Sequence, residues 1–68
     1  MNEKIWLEVY FDGQLMDNIE AFGKKDAEDI SKSIMENGFS EYNESVKTDW
    51  LNMGFSDNPT ITVKPPTE

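Results

Sequence analysis

The sequence contains no cysteine, no histidine and no arginine. Without cysteine no disulfide can brace the fold, and without histidine or cysteine the usual zinc ligand sets are excluded. The two commonest acid-base and nucleophilic side chains are missing as well, so catalysis would have to rest on carboxylates. None of these sits in a motif that predicts a shielded pocket, so the expectation is no enzyme and no cofactor. No run fits the calcium-loop spacing, and the four glycines are scattered rather than grouped into a phosphate loop. Long apolar runs are lacking too: nothing approaches the roughly 20 residues that cross a bilayer. The region after Met1 has no signal-peptide pattern, because its first apolar stretch alternates and is interrupted by Glu8. The expected location is therefore the cytoplasm.

What the sequence does contain is acid. Fourteen aspartates and glutamates face six lysines, a formal charge of −8 on 68 residues. A body this negative repels phosphate and anionic lipid, so direct nucleic-acid or membrane binding is disfavoured and a basic protein partner is favoured. Solubility alone is the plainer explanation of the same charge. At this length one domain is expected, over residues 1–64, with a loose tail at 65–68 after Pro65-Pro66.

Lys4 to Phe11 alternates, with Ile5, Leu7, Val9 and Phe11 on one side and Trp6, Glu8 and Tyr10 on the other, which predicts a strand. A second, less regular strand is expected from Gln14 to Phe22. Between them stands Asp12-Gly13. A two-residue turn there would set Glu8 across from Asp17, an unfavourable like-charge pair. A three-residue loop, Phe11-Asp12-Gly13, with Gly13 in a left-handed bulge, pairs Val9 with Leu15, Leu7 with Asp17 and Ile5 with Ile19. That register gathers the aliphatics and is the one expected. It turns Trp6, Glu8, Tyr10, Met16, Asn18, Glu20 and Phe22 outward.

Ala27, Ile30 and Ile34 form a helical stripe that predicts a helix from Lys24 to Asn37, with Gly23 as N-cap, Asp26 in the first turn and Gly38 closing it. Its outer charges, Lys25, Glu28, Asp29, Lys32 and Glu36, are spaced to pair along a solvated face, which argues against phosphate mimicry there. Tyr42, Glu44, Val46, Thr48 and Trp50 alternate and are expected as a strand, while Tyr42, Val46 and Trp50 also fit helical spacing. Asp57-Asn58-Pro59 marks a turn, and Thr60 to Lys64 reads as a last strand with Ile61 and Val63 inward. The expected fold class is α+β in two layers: an antiparallel sheet of three to four strands with one helix packed on one face, β-β-α-β-β or β-β-α-β.

On this reading the outer hairpin face carries aromatics among acids, an arrangement suited to anchoring in a partner's pockets while charge steers the approach. Its seven outward residues are the candidate partner-binding set. Trp50, Leu51, Met53 or Phe55 folding over the same face would instead make it a second small core. Self-association through it, as a homodimer of an accessory or assembly domain, is the other alternative.

The stretches "IWLEV", "IEAFGKKDAEDI", the "GF" after the helix and "ITVKPP" together resemble small phage-encoded inhibitors of host bacterial RNA polymerase, over about two thirds of the chain. The resemblance implies a strand-strand-helix-strand core and inhibition of a host nucleic-acid-processing enzyme inside a bacterial cell. Those proteins carry arginines on the last strand, where this chain has only Lys64, and the segment from Ser40 to Ser56 is an insertion relative to their pattern.

Overall fold

The computed structural model describes residues 4–64, so the expected tail at 65–68 lies outside the described residues. Strand β1 (Lys4–Phe11) and strand β2 (Gln14–Phe22) form an antiparallel hairpin, followed by helix α1 (Lys24–Asn37). A 3-10 turn (Phe39–Glu41), helix α2 (Glu44–Asn52) and strand β3 (Ile61–Lys64) complete the order. The three strands make one antiparallel sheet in the order β2-β1-β3, with the apolar sides of both helices on one face. This is the expected two-layer α+β class, with a second helix in place of a fourth strand.

The hairpin departs from the expected turn. Asp12 and Gly13 both have positive φ, 49° and 84°, which makes a two-residue turn of the mirror-image type that matches strand twist. Phe11 then pairs with Gln14, and Tyr10 with Leu15. Continued without a break, this register would bring Glu8 against Asp17. Instead the pairing shifts by one residue between Val9 and Tyr10, so that Met16 bulges from β2, Val9 faces Asp17 and Glu8 faces Asn18. The like-charge pair is thus avoided by an irregularity inside the strand rather than at the turn.

The two-residue turn exchanges two neighbours, and the shift restores the expected faces beyond them. Leu15, expected inside, is half exposed, while Met16 packs toward the buried Val9, Phe11 and Trp50. Beyond the bulge the faces are as expected: Leu7, Val9, Phe11 and Ala21 are buried beneath the helices.

Residues 42–51 correct the strand expectation. Asn43 caps α2, its Oδ1 accepting from the backbone N–H of Ser45 at 2.9 Å and of Val46 at 3.2 Å. The helix aims Val46 and Trp50, with Tyr42 just before it, at one cluster around Phe11. Phe39, Tyr42 and Trp50 each meet the Phe11 ring edge-on, with centroids 5.4–5.5 Å away. Propensity for a strand gave way to this stripe, because the stripe buries the largest side chain of the core.

Helix α1 has its expected bounds. Gly38, at φ 79°, closes it with one hydrogen bond from its N–H to the Ile34 carbonyl at 3.0 Å. Along its exposed side Lys25 pairs with Asp29 at 3.6 Å. At the far end of the chain, the Asp12 N–H donates to the Thr60 carbonyl at 2.9 Å, and the Thr60 N–H donates to Asp12 Oδ1 at 2.8 Å. The hairpin turn is thereby clamped to the start of β3.

Candidate functional site

Because the apolar sides of α1 and α2 share one side of the sheet, the other side is open. Alternation along β1 sends Lys4, Trp6, Glu8 and Tyr10 to it; β2 adds Leu15, Asn18, Glu20 and Phe22, and β3 adds Thr62 and Lys64. Six of the seven outward residues expected from the sequence therefore share this face, and the two-residue turn puts Leu15 there in place of Met16.

The face is ordered in cross-strand pairs. Lys4 stands across from Phe22, Trp6 from Glu20, and Glu8 lies between Asn18 and Lys64. Tyr10 lies between Leu15 and Thr62. Trp6, Phe22 and Leu15 are 50%, 54% and 50% exposed, far above the level of ordinary sheet residues turned to a core. None of the second-half aromatics folds over them: Trp50 is buried against Phe11 on the helical side, with Phe55 stacked on it at 4.3 Å.

Tyr10 is held at both ends. Its hydroxyl donates to Glu8 Oε1 at 2.7 Å, and the Lys64 ammonium sits 5.0 Å from its ring centre. The bond to Glu8 is the main reason its hydroxyl is pushed above the ordinary tyrosine pKa, with desolvation and the charge of Glu8 adding in the same direction. Trp6 stands across from Glu20 and is half exposed.

Electrostatically the face differs from the expectation of an acidic patch. Lys4 closes an ion pair with Glu20 at 3.1 Å, and Lys64 stands across from Glu8. Among the described residues two cations and two carboxylates balance on this face, within a chain whose formal charge is −8. Asp12 is used in the turn and Asp17 faces the helices, so the hairpin's acids are divided between surfaces.

No protein family, curated protein or solved structure matches this chain.

The sheet edges offer less than the face. On β2 the bulge and the inward Asp17 disturb the ladder, devices that discourage strand addition. A second apolar group was not singled out from the sequence as a site. Leu51, Met53 and Phe55, 44–50% exposed, project from the end of α2 and the connection to β3, flanked by Asp49 and Asp57. Their alternation with Asn52 and Gly54 was the available signal. Among the described residues no cluster of three or more acids could hold a metal ion, and no helix is long and apolar enough to cross a membrane.

Proposed function

We propose that this chain is a non-enzymatic protein-binding domain that docks its open sheet face on a basic protein. The partner is a nucleic-acid-processing or defence enzyme of a bacterial host, and the chain acts as a phage-type inhibitor that occupies the place of nucleic acid. The observation that carries the reading is Trp6, half exposed on the middle strand of the sheet, on the face away from the apolar sides of both helices. Exposed aromatics on a flat, ordered surface are the usual anchors of protein interfaces.

The charge arrangement assigns two roles to two parts of the molecule. The contact itself is aromatic and balanced, so docking does not strand an unpaired charge. The −8 of the whole body steers the approach to a positive surface and repels phosphate once the chain is bound.

Capture from a bacterial lysate on the immobilised chain tests this, with the retained protein identified by mass spectrometry. The reading expects a nucleic-acid-handling enzyme that is released at about 0.5 M salt, displaced by added DNA and absent when Trp6→Ala replaces the native chain. Equal retention by Trp6→Ala, or retention indifferent to salt, overturns it.

A further inference from the structure

We infer that in the free protein the open sheet face is covered by a second copy of this chain, stacked sheet on sheet in a symmetric dimer. The inference uses the face proposed above for a partner but stands without that proposal.

The first argument is apolar area. Trp6, Leu15 and Phe22 are each about half exposed on one side of one sheet, and stacking two such sheets at about 10 Å would remove all three from water. The second is charge. Two bodies of −8 repel, so the contact belongs where like charges do not meet. This face is internally balanced by Lys4 with Glu20 and Lys64 with Glu8. A two-fold axis brings the same balanced set against itself, which is what an isologous interface requires.

The other apolar group fails that criterion. Leu51, Met53 and Phe55 lie near Asp49 and Asp57, and the neighbouring cation on α2, Lys47, is already engaged by the Ser40 carbonyl and Glu44. A second copy there would set acid against acid. Pairing along the β2 edge is disfavoured by its bulge and the inward Asp17.

β1 and β2 give a footprint of about 10 by 26 Å, to which the described part of β3 adds about 5 by 13 Å. Counted on both copies this is about 650 Å², below the roughly 1,000 Å² of stable interfaces, so association is weak and reversible. Copies would therefore exchange readily. The salt dependence has a distinctive sign: screening weakens the repulsion between two acidic bodies, so dimerisation tightens as salt rises, whereas attraction to a basic partner weakens.

Sedimentation equilibrium of the full chain from about 5 to about 500 µM, at about 0.02 M and about 0.5 M sodium chloride, decides the matter; the screening length falls about fivefold across that range. The expected result is a monomer-dimer equilibrium whose dissociation constant drops at least threefold at the higher salt. Trp6→Ala and Phe22→Ser should be monomeric with native circular dichroism, and Leu51→Ser should dimerise as the native chain does. A monomer throughout, a dimer weakened by salt, or a dimer kept in Trp6→Ala and lost in Leu51→Ser overturns the inference. A monomer leaves the partner reading standing, while a dimer that retains no Trp6-dependent enzyme from lysate overturns the partner reading alone.

Discussion

The Tyr42 hydroxyl donates a 2.7 Å hydrogen bond to Asp17, joining the segment before α2 to the edge strand β2. Asp17 stands opposite Val9 on the helical side of the sheet, where a carboxylate would otherwise face an apolar layer. Its other oxygen accepts from the Asn18 N–H at 2.9 Å. Removing the hydroxyl strands a partly buried acceptor. Tyr42→Phe should therefore cost about 1–3 kcal/mol in urea unfolding, more than the loss of an exposed hydrogen bond.

The same contact has a pH signature. Burial, followed by the bond to Asp17, holds the Tyr42 hydroxyl well above its ordinary value of 10.0. A raised tyrosine pKa means the folded state keeps a proton the unfolded chain releases, so the stabilisation is complete below about pH 10 and is lost progressively above it. Thermal melts of the native chain should fall more steeply above about pH 10 than those of Tyr42→Phe. Tyr10 shifts in the same direction, so the comparison is made on a Tyr10→Phe background.

The exchange of Leu15 and Met16 across the bulge is open to direct test. Leu15→Lys places a charge on the solvent face and should change stability by less than about 0.5 kcal/mol. Met16→Lys drives an ammonium toward Val9, Phe11 and Trp50 and should cost about 2–4 kcal/mol. A larger loss from Leu15→Lys than from Met16→Lys in chemical denaturation would favour the three-residue loop, which turns Leu15 inward.

At the turn, Asp12 needs both a positive φ and an oxygen for the Thr60 N–H. An asparagine in its place would supply both, so Asp12→Asn should be neutral within about 0.5 kcal/mol, while Asp12→Ala should lose about 1–2 kcal/mol. Gly13→Ala, at φ 84°, should lose about 1 kcal/mol from strain. Denaturation midpoints of the three variants give the order.

Trp50 is the largest fully buried side chain, and its indole N–H donates to the Ser56 carbonyl at 2.7 Å. Trp50→Ala should cost about 3–5 kcal/mol and, for so small a core, leave a chain largely unfolded at about 37 °C. Near-ultraviolet circular dichroism reports the loss.

Sequence reasoning succeeded where one local pattern met no competitor. The period of two in Lys4–Phe11 and the stripe Ala27, Ile30, Ile34 with a glycine at each end were enough to place β1 and α1. It failed where two patterns fitted the same residues. Tyr42, Val46 and Trp50 satisfy both periods, and the deciding group, Asn43 as an N-cap, is a single side chain. The turn was misjudged because the Glu8–Asp17 repulsion was given only one escape, a longer loop, when a bulge at Met16 removes it as well. Face assignment survived that error everywhere except at Leu15 and Met16, since the two registers differ by an even number beyond the bulge. The balance of charge on the open face was hidden for another reason: Lys64 reaches it only through the pairing of β3 with β1.

The clamp between Asp12 and Thr60 joins positions 48 residues apart, and β1 lies at the centre of the sheet with a neighbour from each end of the described chain. During synthesis β1 has one flank bare until residues 61–64 emerge. Closing the native sheet therefore needs a non-local contact, whose loop-closure entropy falls on the docking of β3 and not on the hairpin.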